Sequence, residues 1–236
     1  MKAVVTGGSS GIGAAIVRVL AEEGCDVWFC ARDDLKIADM LRSVAKLPGR
    51  VTAKSLDVTD RGAFEDWMAE LRTFDIFVPN VSALSTEWSS AISTDIEATV
   101  NATEAAIPCL AASRHGAITY IGSKASSLAA PNSAAYGAAK AAMTHYMKSL
   151  ASRLLPATRV NTVSPGDTWV DGGLWSQVQR QDPDAFARVV SRNPMNRLAT
   201  VEEIARVVAF VSSPAASFVA GANWYVDGGS ISHVQV

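Results

Sequence analysis

Cysteine is scarce: Cys25, Cys30 and Cys109 are the three in 236 residues. None has the spacing of a metal knot or a disulfide framework. That excludes a stapled secreted scaffold and points to small buried thiols in a reducing cytosol. Histidine is equally sparse. His115, His145 and His233 are scattered along the chain, so no metal site is expected. Charge of either sign is not in excess, with 21 Lys and Arg against 23 Asp and Glu and a formal net charge of −2. This leaves no electrostatic footing for nucleic acid or an anionic membrane surface. No run of like charges is long enough to be a tail. No apolar stretch reaches the roughly 20 residues that cross a bilayer. Lys2 enters a strand-like run at once, leaving no room for a signal peptide, so a cytoplasmic location is expected. There is no internal repeat, and there is no linker.

What the chain does have is apolar content, 49% of its residues, enough for a large core. Its length suits one α/β domain over 1–236. Strand-like and helix-like segments alternate. Lys2 to Thr6, Asp26 to Ala31, Val51 to Leu56, Ile76 to Val78, 117–122, Arg159 to Val163 and Asn223 to Val226 read as strands. Between them lie helical patterns: from Ala14 to Gly24, Leu35 to Leu47, a segment after the capping Asp60, 88–113, 133–154, and Val201 to Ser212 after the capping Thr200. This alternation predicts a doubly wound parallel β-sheet of about seven strands, flanked by helices. The stretch 166–199 shows no clear pattern and is long for a connection, so it reads as a substrate lid.

Three features carry chemistry. The first strand runs straight into Gly7-Gly8-Ser9-Ser10-Gly11-Ile12-Gly13 and then a helix. Glycines allow close backbone approach, and the helix N-terminus offers free N–H groups, so the turn reads as a nucleotide phosphate site. Its spacing is Gly-x-x-x-Gly-x-Gly rather than the commoner dinucleotide fingerprint. Second, Tyr136 and Lys140 are four apart on a helix and share one face. A free tyrosine is a poor acid at neutral pH, and a nearby cation favours the phenolate, so the pair suits proton transfer. Third, Ser123 follows the fifth strand, thirteen residues before Tyr136, where loops at the C-terminal edge of a parallel sheet hold functional groups. A hydroxyl there serves a carbonyl oxygen, or simply caps the next turn.

With these residues in place, the chain resembles the short-chain dehydrogenase/reductase family over nearly its whole length. The resemblance rests on Thr6 through Gly13, Asp57-Val58, Asn80, the Ser123/Tyr136/Lys140 set, Asn161, Ser164-Pro165-Gly166 and Val226-Asp227-Gly228-Gly229. It is strongest to the 3-oxoacyl-carrier-protein reductase-like members. It implies a single Rossmann-type domain and an oxidoreductase that moves a hydride between nicotinamide and a carbonyl or secondary alcohol. Tyr136 would be the acid/base and Ser123 the holder of the substrate oxygen. Lys140 would assist Tyr136 and bind the nicotinamide ribose. Asp57 would hold the adenine amino group, Val58 line the ring, and Asn80 lie near the adenine ribose. Pro165, Gly166 and Thr168 would meet the carboxamide or pyrophosphate, although the family's usual threonine falls where this chain has Val170. A homo-oligomer, tetramer or dimer, is implied, paired through 88–113, 133–154 and the C-terminal strand. Small residues there, among them Ala102, Ala105, Ala106, Ala111, Ala112, Ala138, Ala139, Ala141 and Ala142, allow close approach.

The end of the second strand governs cofactor choice. No acid stands there to take a ribose 2′-OH; Ala31 is followed by Arg32, whose guanidinium matches a 2′-phosphate. NADP(H) is therefore favoured over NAD(H). The other reading makes Arg32 a surface residue paired with Asp33 or Asp34. Two positions depart from the family. Asp95 stands where the family has an Asn whose main-chain carbonyl holds a relay water. The resemblance favours that main-chain role, while a carboxylate facing Lys140, or one pointing elsewhere, are the alternatives. Pro79 removes a backbone donor beside Asn80, so local hydrogen bonding must rearrange. Trp169, Trp175 and Met195 suit either an apolar substrate pocket or lid packing. Epimerisation or dehydration would need further acid/base groups in the lid, and Asp167, Asp171 and Asp182 are poorly placed for that. A non-catalytic nucleotide-binding or scaffold protein on the same fold is the competing function.

Overall fold

Residues 1–232 are described here in a computed structural model; His233, one of the three scattered histidines, lies outside them. The first half runs β1 (Lys2–Thr6), α1 (Gly11–Glu22), β2 (Asp26–Ala31), α2 (Asp34–Val44), β3 (Val51–Ser55), α3 (Arg61–Leu71) and β4 (Ile76–Val78). There follow α4 (Trp88–Ser90), a π-helical stretch Ala91–Ala98, α5 (Thr99–Ala111), β5 (Gly116–Ile121), α6 (Ala134–Leu154) and β6 (Thr158–Pro165). The chain continues with α7 (Leu174–Gln181), α8 (Pro183–Arg192), α9 (Val201–Ser212) and β7 (Asn223–Val226).

The inner strands are buried on both faces, which is why they read as continuous apolar runs, while the edge strands β3 and β7 are partly exposed. Alternate side chains enter two different cores. Ala3, Val5, Val27, Phe29, Ile76 and Val78 face the layer that holds α1, α2 and α9. Val4, Cys30, Phe77, Ile118 and Tyr120 face the layer that holds α3, α5 and α6. The seven strands are all parallel, in the order β3-β2-β1-β4-β5-β6-β7. The chain steps outward from β1 to β3, then returns to place β4 on the other side of β1. That reversal opens a crevice at the C-terminal ends of β1 and β4.

Helix starts follow local chemistry. Asp60 accepts from the Ala63 N–H at 3.0 Å, and Asp33 accepts from the Leu35 and Lys36 N–H groups. Thr200 and Glu203 form a reciprocal capping box on α9. Two expectations need correction. The 88–113 helix is not uniformly α, because Ala91–Ala98 winds as a π-helix. The 166–199 segment is not irregular throughout, because it folds into α7 and α8. Pro183, which reads as a breaker, occupies the first turn of α8, with Asp182 as its cap.

Candidate active site

The glycine turn leaves β1 and bends over the crevice. Gly11 sits at φ +54, in the left-handed region that glycine tolerates. A Cβ on Gly13 would lie 2.1 Å from the Gly7 carbonyl oxygen, so only glycine lets α1 close onto the turn. Ser10, at the N-cap of α1, makes no side-chain cap bond, and the first helical bond is Ala14 N–H to Ser10 carbonyl at 3.1 Å. The N–H groups of Gly11, Ile12 and Gly13 are thus presented without a capping side chain. This geometry fits a pyrophosphate.

The turn is braced from β4. Asn80 Nδ2 donates to the Thr6 carbonyl at 2.9 Å and the Gly7 carbonyl at 3.3 Å, while Thr6 Oγ1 accepts from Asn80 N–H. Asn80 therefore holds the glycine turn, which is a firmer assignment than nearness to a ribose. Pro79 carries no N–H, and its carbonyl accepts from Ile121 N–H at 3.1 Å. From the opposite side, Val170 comes within 3.6 Å of where a Cβ on Gly11 would sit. The position at which the family has threonine thus packs over the phosphate turn.

Past the end of β2, Arg32 pairs with neither Asp33 nor Asp34. Its Nη1 lies 3.3 Å from Asp57 Oδ2, with the two side chains 77% and 37% exposed. Asp57 Oδ1 accepts from Thr59 N–H and hydroxyl. Partial burial pushes the Asp57 carboxyl up, but these Thr59 bonds and the Arg32 guanidinium outweigh it and hold it below its ordinary value. Val58 is buried beside Phe64 in the core. Cys30 lies directly beneath, where burial pushes its thiol up to about 12, and its carbonyl accepts from Gly7 and Gly8 N–H.

The other end of the candidate site is assembled from β5, α6 and the π-helix. Ser123 follows β5 with its Oγ accepting from Ala125 N–H at 3.1 Å. It caps a short 3-10 turn and keeps its own O–H to donate. Lys140 is buried on α6 and donates to the Ile121 carbonyl at 3.2 Å. Its Nζ lies 5.7 Å from the Tyr136 ring centroid and 5.1 Å from that of Tyr120. Asp95 is fully buried, its Oδ1 3.5 Å from Lys140 Nζ and its Oδ2 accepting from Ala83 N–H at 3.1 Å. The carboxylate thus faces the lysine, as one of the alternatives read from the sequence has it, and it does so from the π-helix. Tyr120 Oη and Asp95 Oδ1 are buried with no hydrogen-bond partner among the described residues. Burial, and then the nearby Asp95, push the Tyr120 phenol far up.

Beside β6, Gly166 N–H bonds the Val226 carbonyl at 2.9 Å, and Thr168 Oγ1 donates to the Gly166 carbonyl at 3.0 Å. Trp169 packs edge-on against Phe186 at 5.9 Å, which assigns it to lid packing; Met195 is 60% exposed. Sequence reasoning missed one pair. Lys124 Nζ lies 2.5 Å from Asp167 Oδ2, and the sequence clue was only that each follows a site residue, Ser123 or Gly166. Among the described residues no cluster of metal-ligating groups is found and no helix is long and apolar enough to cross a membrane.

A doubly wound parallel sheet with a phosphate-ready glycine turn at its switch point, and a half-buried tyrosine over a buried lysine beyond it, defines a nucleotide-dependent α/β enzyme class. Comparison with known proteins narrows this. A family model described as Enoyl-(Acyl carrier protein) reductase matches residues 7–230. A tropinone reductase homolog of Arabidopsis thaliana is 33% identical, over 97% of this chain and 90% of its own. Cis-4-hydroxycyclohexanecarboxylate dehydrogenase of Sinomonas cyclohexanicum is 34% identical, over 96% and 95%. The structure of L-sorbose reductase from Gluconobacter frateurii, complexed with NADPH and L-sorbose, superposes with a TM-score of 0.91 at 26% identity, covering 99% of this chain and 97% of that one. The chain belongs to the short-chain dehydrogenase/reductase family. It is an oxidoreductase of that family, acting on a small molecule with a nicotinamide cofactor.

Proposed function

We propose that this protein is an NADP(H)-dependent carbonyl reductase or alcohol dehydrogenase with Tyr136 as the general acid/base. The observation that carries the reading is the buried Lys140 beside the Tyr136 ring, fixed by Ile121 and Asp95. The nicotinamide, when bound, supplies the hydride chemistry. Everything else falls to the chain. Tyr136 gives its hydroxyl proton to the substrate oxygen in reduction and takes it back in oxidation. Ser123 donates its remaining O–H to that oxygen as negative charge grows. Lys140 keeps a positive charge beside the phenol and reaches toward the nicotinamide ribose. Asp95 holds Lys140 in place.

For the cofactor, Gly7, Ser9, Ser10, Gly11, Ile12 and Gly13 would take the pyrophosphate, and Pro165, Gly166 and Thr168 the carboxamide side. Arg32 would meet a 2′-phosphate. Its exposed pairing with Asp57 is worth only about 0–1 kcal/mol and yields readily to a bound phosphate. Asp57 and Val58 would flank the adenine, with Asn80 supporting the turn. The chain would work as a cytoplasmic homo-oligomer, a tetramer or dimer. Ala102, Ala106 and Ala139 are buried in the chain's own core, but Ala111, Ala112, Ala138 and Ala142 remain exposed for a partner.

The test is NADPH and NADH oxidation measured side by side against a panel of ketones. Turnover with NADPH preferred is expected. Cofactor binding without turnover of any ketone, or of the matching alcohols, would favour the scaffold reading instead.

A further inference from the structure

We propose that Lys124 and Asp167 form a closed charge pair beside the reacting carbonyl and thereby select uncharged carbonyl substrates. The inference rests on the oxidoreductase reading above, because it takes Ser123 as the holder of the substrate oxygen. Lys124 directly follows Ser123 and opens the 3-10 turn that Ser123 caps. Asp167 follows Gly166, just past the end of β6. β5 and β6 are neighbours in the sheet, so the pair joins the loops at their C-terminal ends, where the site lies. Nζ and Oδ2 are 2.5 Å apart, with the side chains 23% and 18% exposed. The pair is shielded but still open to a ligand.

Both main chains are held, that of Lys124 by Ser127 N–H donating to its carbonyl at 3.1 Å, but the side chains differ in reach. The main chain around Asp167 is fixed: its carbonyl accepts from Ala199 N–H at 2.9 Å, and Trp169 N–H bonds the Ala199 carbonyl at 2.8 Å. Lys124 has a flexible four-carbon stem on a short turn. The carboxylate is therefore the anchor, and the ammonium is the group held to it.

The charge balance at this end of the site gives the pair its consequence. Two lysines there each face one carboxylate, Lys124 with Asp167 and Lys140 with Asp95, so neither ammonium stands unpaired. A substrate carboxylate brought beside Ser123 loses hydration, finds Lys124 and Lys140 already paired, and shares this end of the sheet with the negative Asp167. A neutral hydroxyl or carbonyl meets ordinary partners: the remaining ammonium N–H donors of Lys124 and the second oxygen of Asp167. Neutral polar substrates are favoured on both counts. Asp167→Asn keeps the side-chain shape but releases the Lys124 charge, turning the same wall into an anion site.

The experiment compares kcat/KM for two near-isosteric ketones, 4-oxocyclohexanecarboxamide and 4-oxocyclohexanecarboxylate, with NADPH. The parent should favour the amide by about tenfold, the size of one charge effect at a partly exposed site. Asp167→Asn should shift that ratio about tenfold toward the carboxylate. Lys124→Met leaves Asp167 facing the substrate alone and should widen the preference for the amide. If Asp167→Asn does not fold, the parent ratio and the Lys124→Met ratio still decide. A parent that prefers the carboxylate, or one ratio shared by all three proteins, overturns the inference. Equal rejection of both probes by a parent that reduces other ketones of the panel overturns it too. A parent that reduces no ketone at all removes the oxidoreductase reading itself.

Discussion

Replacing Asp95 with Asn tests the departure from the family most sharply. The carboxylate is fully buried, 3.5 Å from a lysine that is itself buried. Removing one partner of a buried ion pair commonly costs about 3–5 kcal/mol, because the other charge is left uncompensated. Here the loss is softened. Lys140 keeps the Ile121 carbonyl at 3.2 Å and the faces of Tyr120 and Tyr136 at 5.1 and 5.7 Å. Asn also retains an oxygen for the Ala83 N–H. We therefore expect about 2–3 kcal/mol. For a chain of this size each kcal/mol lowers Tm by roughly 2–4 °C, so the fall should be about 4–12 °C. The assay is thermal unfolding by circular dichroism on Asp95→Asn, Lys140→Met and the double variant. Losing both charges together should cost less than the sum of the single losses, by about 1–3 kcal/mol. A Tm within about 1 °C of the parent, or strict additivity within about 0.5 kcal/mol, would refute the buried pair.

Three further outcomes are expected. Arg32→Ala should weaken NADPH binding by about ten- to a hundredfold and leave NADH nearly unchanged, as read by fluorescence titration; equal loss for both cofactors contradicts the 2′-phosphate assignment. Glu203 is held down to about 2 by the Arg197 guanidinium and the Thr200 N–H, against an ordinary 4.5. A depressed carboxyl stabilises above its unfolded value, so this contribution is whole above about pH 4.5 and is lost as pH falls toward about 2. Across that window the parent's Tm should fall more steeply than that of Glu203→Gln; parallel slopes would show that the pair contributes nothing. Light scattering at micromolar concentration should give a dimer or tetramer mass, and a monomer mass rejects the proposed pairing through the exposed alanines.

Much of the fold was legible because its inner strands are buried on both faces and its caps are chemically explicit. Lys2–Thr6 and Asp26–Ala31 appear in the structure with the limits read from their apolar, β-branched runs. Asp60 and Thr200 cap where their side chains predicted. The lid helices were hidden because Gly172, Gly173 and Pro183 look like breakers, whereas Gly173 and Asp182 are N-caps and Pro183 starts a helix. The π-turn was hidden because Ala91–Ala98 is only eight residues long, too short for its apolar pattern to tell i→i+5 from i→i+4 winding. Ser123, Tyr136 and Lys140 were readable from spacing. Their partners were not, because Arg32 meets Asp57 across 25 residues, and Lys124 meets Asp167 across 43. Such pairs are fixed by tertiary packing, which no local pattern records.

The central claim is that Tyr136 carries the proton, and Tyr136→Phe tests it most directly. The ring remains to pack near Lys140 while the hydroxyl is lost. Turnover of the best ketone with NADPH, followed by loss of nicotinamide absorbance, should fall by about 10²–10⁴-fold. NADPH affinity, measured on the same variant, should stay close to that of the parent. A Tyr136→Phe enzyme that keeps most of its kcat would place the proton donor elsewhere and contradict the account.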